Sequence, residues 1–391
     1  MKILMENELN ALFLALRYEV VGDDFSREEN FSFKNADLSL LYNLSKGYDL
    51  AHIVADALDK KGLLDGNEEV KKLFIKERNM AIVRYEQRSY EYGEIQKAFI
   101  ENEIPFFPLK GVVIQDLYPK KWMRTSCDID VLVKEDDLNL AVQVLKEKLD
   151  YTLDKISKHD AQLISPSGVH LELHYSLLDG EMKSKHFDLF EKVWEFDANN
   201  QSFERRMADE FFYGYFILHM ARHVKEGGCG IKPFLDALLI LEKANLNKEK
   251  CYEFLSKIEL LAFAKEVESL LAVWFKDKKP TKLDKEFANF VISGGLYGTM
   301  ENRVYVHTKR KKSKARLVMS RIFLPYEQLK FQYPIVQKHK ILVPFYQVRR
   351  WFNLLNKNKR KLAKKEFETT ISQNAKRGEK IEKLLKQLEL K

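Results

Sequence analysis

Arg124-Thr-Ser-Cys-Asp-Ile-Asp-Val-Leu-Val133 is the stretch on which the fold turns. Side chains alternate across a strand with a period of two. Asp128 and Asp130 therefore share one face, while Ile129, Val131 and Val133 share the other and read as core. Two neighbouring carboxylates on a half-buried strand repel each other unless positive charge sits between them. A divalent cation meets that need, and magnesium takes carboxylate oxygens together with substrate phosphates. A D-x-D also arises by chance at ordinary charged-residue usage, so its neighbours must decide.

Upstream, Ile104-Pro-Phe-Phe-Pro-Leu109 reads as a short edge strand, the place where a sheet tolerates proline. Lys110-Gly111 then opens one or two helical turns over Val112–Leu117, stopped by Tyr118-Pro119. Downstream, Glu135–Leu149 carries Leu138, Ala141, Val142 and Leu145 on one helical face. Tyr151–Ile156 reads as a strand, and Pro166-Ser-Gly168 as the turn of a hairpin between Ala161–Ser165 and Val169–Tyr175. In the second arm Leu171 and Leu173 share a face with Val169 and Tyr175; His170, Glu172 and His174 share the other.

A strand, a Gly turn with a helix, an acidic strand, a helix and a hairpin make an α+β core. Glu172 is the third carboxylate that would complete a metal site with Asp128 and Asp130, able to activate a hydroxyl and to stabilise a leaving pyrophosphate. Backbone N–H groups at the Gly111 turn are placed to receive a triphosphate. Lys110 and Arg124, before the helix and before the acidic strand, are placed to neutralise phosphate charge, with Ser126 beside them.

Several of these residues resemble one family. Leu109-Lys-Gly111, Leu-Tyr-Pro at 117–119, Arg124 with Asp-Ile-Asp-Val-Leu-Val at 128–133, and Leu-Glu-Leu-His at 171–174 look like the bacterial uncharacterised nucleotidyltransferase family, within the DNA polymerase β-like nucleotidyltransferase superfamily. The likeness extends to His219-x3-His223 and Asp236, with an echo at Phe323-Leu-Pro-Tyr326, and so spans about residues 100–350. It implies a small mixed sheet with helices. It also implies magnesium (or manganese) held by Asp128, Asp130 and Glu172, with an NTP as substrate. Nucleotide-binding positions would be Lys110, Gly111, Arg124, Ser126 and His174. Most of the superfamily has Gly-Ser or Gly-Gly at the phosphate turn, where this chain has Lys110-Gly111.

The rest of the chain frames that core. Its 391 residues allow two or three domains, at roughly 100–200 residues each. Helical spacings fill residues 1–100, including one long segment from Lys71 to Glu101, and return from Phe203 to about Phe275 with a break at Gly227-Gly-Cys-Gly230. The expected organisation is an N-terminal helical region (1–100), a nucleotidyltransferase core (101–200), a helical domain (201–301) and a basic helical tail (302–391). That tail holds 25 Lys and Arg against 6 Glu, a balance of +19, so the first 301 residues carry −11 of the +8 total. Such asymmetry suits an anionic partner such as nucleic acid, or equally a solvated basic helix face.

Three cysteines and no secretory signal read as a cytoplasmic, disulfide-free chain. No apolar run approaches the roughly 20 residues that a membrane span needs. His219 and His223 share a helix face and, with Cys229, raise zinc, but four ligands are needed and no fourth stands out. The two histidines read better as the wall of a cleft or as partners of Asp236.

The reading is therefore a metal-dependent nucleotidyltransferase that moves a nucleoside monophosphate from an NTP to a hydroxyl and releases pyrophosphate. The acceptor stays open among a small molecule or sugar precursor, a tRNA end and a protein. The alternatives are a non-catalytic nucleotide- or RNA-binding regulator of toxin–antitoxin type on the same fold, and a phosphotransferase with a similar acidic strand on another fold.

Overall fold

The computed structural model describes residues 6–23, 33, 35–178, 187–199, 201–294, 323, 326, 329, 333, 335–352 and 375–390. The chain divides into two units, residues 1–220 with 231–280, and residues 221–230 with 281–391.

The first unit begins with helices α1 (Glu6–Leu16), α2 (Leu38–Gly47), α3 (Ala51–Lys60) and α4 (Glu68–Glu101). Local chemistry starts two of them. The Asp37 carboxylate accepts from the backbone of Ser39 and Leu40 at the head of α2, and the Asn67 side chain accepts from Val70 at the head of α4. Glu68 and Glu69 in the first turn of α4 complement the helix dipole. Leu40 is exposed. At 100° per residue it lies to the side of the stripe that Leu41 shares with Tyr42 and Ser45.

The sheet follows: β1 (Phe106–Pro108), α5 (Lys110–Ile114), β2 (Asp128–Val133), α6 (Leu138–Leu149), β3 (Thr152–Ile156), β4 (Asp160–Ile164) and β5 (His170–His174). Its order is β1-β2-β5-β4-β3. Only β2 and β5 run parallel; every other neighbour is antiparallel. The fold is mixed α+β. Pro108 sits on the edge strand, as its missing N–H requires, and Gly168 takes the left-handed turn of the hairpin at φ +86°.

One face of the sheet is dry. Ile129, Val131 and Val133 of β2 join Leu171 and Leu173 of β5 and Leu163 of β4. Ile95 and Phe99 of α4 and Ala141 and Leu145 of α6 cover them. Each such aliphatic or aromatic side chain contributes about 1.5–3 kcal/mol by leaving water, which fixes the register of β2 and β5. A one-residue slip would turn the aspartates into that core.

The first unit continues with α7 (Phe187–Glu191), α8 (Asp209–Lys225, whose last residues belong to the second unit), α9 (Lys232–Lys243), α10 (Lys248–Lys257) and α11 (Leu261–Phe275). The expected break at Gly227-Gly-Cys-Gly230 separates α8 from α9, with Gly227 and Gly228 both at φ +129°.

The second unit holds, among its described residues, α12 (Lys282–Gly294), α13 (Ile335–Lys338), α14 (Val343–Phe352) and α15 (Ala375–Gln387). α12 packs on α15. Within the basic tail expected over 302–391, α14 and α15 are described helices. Residues 353–374, the run Lys309–Lys314 and the middle of Phe323-Leu-Pro-Tyr326 lie outside the described residues. No described helix is long and apolar enough to cross a membrane.

Candidate active site

The wet face of the sheet brings the acidic residues together. Because β2 and β5 are parallel and in register, Asp128 lies beside His170, Asp130 beside Glu172 and Leu132 beside His174. Alternation then puts Asp128, Asp130, Glu172 and His174 on the face opposite Ile129. His174 donates Nε2–H to Asp130 Oδ1 at 2.9 Å and lies 3.5 Å from Glu172 Oε2. Asp130, Glu172 and His174 each offer a ligand atom within 4.8 Å of the others, the one such group found among the described residues. Asp128 lies outside that group; its Oδ1 accepts from the Ser126 hydroxyl at 2.8 Å.

Lys110 supplies the nearest cation, with Nζ 3.1 Å from Asp130 Oδ1. Burial opposes the Lys110 charge, but Asp130, Tyr215 and Glu172 outweigh it and hold the ammonium well above its ordinary range. Burial likewise opposes ionisation of Asp130, and Lys110 and His174 reverse the balance, so that carboxylate stays ionised far below the usual range. His174 is raised for the reciprocal reason: burial works against its charge, while Asp130 and Glu172 favour it. Asp128 moves the other way. Burial and the Asp130 charge push it up, the Ser126 hydroxyl offsets part, and Glu172 adds to the rise. The face therefore has Asp130, compensated by Lys110 and His174, beside Asp128, whose hydrogen bond comes from the neutral Ser126 hydroxyl.

The turn before the site is tight at Lys110. The left-handed residue is Lys110, at φ +38°, and not Gly111. Lys110 holds that unfavoured conformation between two anchors, the Leu109 N–H on the Asp130 carbonyl and its own ammonium on the Asp130 carboxylate. Gly111 follows, packed beside Ser126. A Cβ there would stand 3.4 Å from both Cβ and Oγ of Ser126, the residue that bonds Asp128.

Arg124 is turned away from Asp130. Its Nε donates to both carboxylate oxygens of Asp236 on α9, and its Nη1 donates to the Thr125 carbonyl. The Tyr118 hydroxyl donates to the same Asp236 at 2.8 Å. Next to it, Thr125 donates Oγ1–H to Asp49 at 2.6 Å and Lys232 donates to both Asp49 and Thr125 Oγ1. Asp49, Lys232 and Asp236 thus clamp the Arg124–Cys127 loop that delivers Asp128. Sequence reading missed the Asp49–Thr125–Lys232 cluster. Its members are 76 and 107 residues apart, and nothing in their local pattern separates them from surface residues.

The family described as uncharacterised nucleotidyltransferase matches residues 34–276. The chain belongs to this family. The match begins well before Leu109-Lys-Gly111, so it takes in α2 to α4, and it stops short of the Phe323 echo. No curated protein matches the chain. Two solved structures do. One is the Thermotoga maritima CCA-adding enzyme complexed with tRNA, 12% identical, covering 80% of this chain and 84% of that one at a TM-score of 0.23. The other is an apo form of a CCA-adding enzyme, 14% identical, covering 75% and 89% at 0.21. At those TM-scores it is family membership, and not either neighbour, that supports nucleotidyl transfer as the general activity.

Proposed function

We propose that this nucleotidyltransferase is metal-dependent and works on the wet face of β2 and β5. The observation that carries the reading is the in-register pair Asp130 and Glu172 on parallel strands, with His174 bonded to Asp130. The donor set fits a hard divalent cation, since carboxylate oxygens suit magnesium and manganese better than imidazole does. Asp130 and Glu172 would hold the ion, with Asp128 adding a third carboxylate from the same face. His174 is better used as the partner that orients Asp130. When bound, such an ion neutralises phosphate charge and acidifies a coordinated hydroxyl.

The reaction forms a bond from an acceptor oxygen to the α-phosphorus of an NTP and breaks the bridge to the β-phosphate. Pyrophosphate leaves and the hydroxyl proton is released. Glu172, half-buried at the site, is positioned to take that proton. Lys110 stays charged and holds Asp130 ionised, and Ser126 holds Asp128. A transfer of this kind is accelerated chiefly by positioning the reactants and neutralising phosphate charge.

The test incubates the protein with each labelled NTP, Mg²⁺ or Mn²⁺, and a cell extract split into RNA, protein and small molecules. Label in one fraction names the acceptor class. Absence of label in every fraction, or equal labelling by Asp128→Ala/Asp130→Ala, overturns the reading.

A further inference from the structure

We infer that Arg88, on the long helix α4, binds the polyphosphate chain of the nucleotide donor. The inference rests on the nucleotidyltransferase reading above and adds a residue outside the sheet.

Arg88 is pinned at the end of the sheet where β2 starts. One residue before it, Gln87 donates its side-chain amide to the Ser167 carbonyl at 2.9 Å. Three residues after it, Glu91 accepts from the Tyr151 hydroxyl at 2.9 Å and from the Ser167 hydroxyl. Ser167 lies in the turn that leads into β5, and β5 opens with His170, the register partner of Asp128. The same helix packs against β2 and against the Lys121–Met123 turn before it. These contacts bring Arg88 to the Asp128 end of the site, and its guanidinium lies within electrostatic reach of Arg124, Asp128, Cys127 and Asp49.

The guanidinium is under-used where it stands. Its Nε donates to the Arg84 carbonyl one turn back. Its Nη2 is buried and has no hydrogen-bond partner, one of five such side-chain atoms among the described residues. An unpaired buried donor on a charged group is costly, and Arg124 nearby adds like-charge repulsion. A planar fork with an unpaired Nη2, beside a second arginine and at the edge of the carboxylates, is complementary to a phosphate oxygen. Binding that anion satisfies Nη2 and relieves the repulsion together. Lys110 serves the Asp130 end of the same face, so Arg88 would hold the part of the chain nearer Asp128.

The test titrates the full chain in EDTA, so that no divalent ion bridges, with inorganic tripolyphosphate and with each NTP. Wild type is compared with Arg88→Gln and Arg88→Lys. Arg88→Gln should weaken both probes at least about tenfold, the loss expected for a charge-assisted hydrogen bond, and Arg88→Lys should retain part of the affinity. Without ligand, Arg88→Gln should melt no lower than wild type, because it removes an unsatisfied buried charge; a purely structural arginine would give the reverse. Unchanged tripolyphosphate affinity in Arg88→Gln overturns the assignment and leaves the transferase reading standing, as does loss confined to the NTPs. A wild type that binds neither probe overturns it too. Lost binding in Arg88→Gln, with no transfer by wild type to any acceptor, keeps the Arg88 assignment and sinks the transferase reading.

Discussion

Arg124 Nε donates to both oxygens of the Asp236 carboxylate, at 2.8 and 2.9 Å, across 112 residues of sequence. The pair is nearly out of water, with side-chain exposures of 13% and 2%. Its role is to hold the loop that starts β2, so it acts on the site through the placement of Asp128. Breaking one partner of a buried pair leaves the other charge stranded. Asp236→Leu and Arg124→Met should each cost about 3–5 kcal/mol of stability, and the double variant Arg124→Met/Asp236→Leu much less than their sum. Urea unfolding of the four proteins measures this; strict additivity would show that the pair is not coupled.

Asp130 carries the second prediction. Asp130→Asn keeps the shape and the Oδ1 acceptor but removes the charge that Lys110 and His174 stabilise. Transfer should fall at least about a hundredfold, the scale for losing a group that organises transition-state charge. EDTA should arrest wild type, and Mg²⁺ or Mn²⁺ should restore it but not Asp130→Asn. Activity in excess EDTA would refute metal dependence.

His52 gives a pH dependence that is separate from the chemistry. It is buried, and its Nε2 lies 2.8 Å from the Met123 carbonyl, to which the neutral ring donates. Burial lowers its pKa to about 4 in the folded chain. The unfolded chain has the ordinary value of about 6.5. Above the unfolded value both states are neutral and the full stability is present. As pH falls from there towards the folded value, only the unfolded chain takes up the proton, and about 3 kcal/mol is lost across the window. His52→Gln should remove that slope. Parallel stability–pH curves for the two proteins would sink the assignment.

Gly214 is the third position where stability is the readout. It lies within α8, where alanine would ordinarily gain about 1 kcal/mol. A Cβ there would overlap the Phe254 ring of α10, its Cε1 and Cδ1 being the nearest atoms. Gly214→Ala should therefore destabilise by about 1–3 kcal/mol, and adding Phe254→Leu should recover part of it. A gain in melting temperature for Gly214→Ala alone would show that the ring moves aside freely.

Much of the core was readable because its signals are local. Alternation in Asp128–Val133 and His170–His174 separated a dry face from an acidic one, and Pro166-Ser-Gly168 marked the hairpin between the last two strands. Proline at 105 and 108 marked the edge strand, and a long amphipathic segment without proline marked the helix that became Glu68–Glu101.

What the sequence determined by itself was the set of elements, the face each residue takes within its own strand, and the family. Periodicity and turn chemistry act over a few residues and are written in the chain. Only the tertiary structure decided that β2 and β5 became neighbours. The parallel register of β2 and β5 set Asp130 beside Glu172, drew His174 and Lys110 onto one carboxylate oxygen and left Asp128 to Ser126. It also turned Arg124 into Asp236 and left a donor of Arg88 unpaired at the strand's start. Those outcomes depend on contacts between residues tens of positions apart, set by the packing of α4 and α6 on the dry face, and no local pattern encodes them.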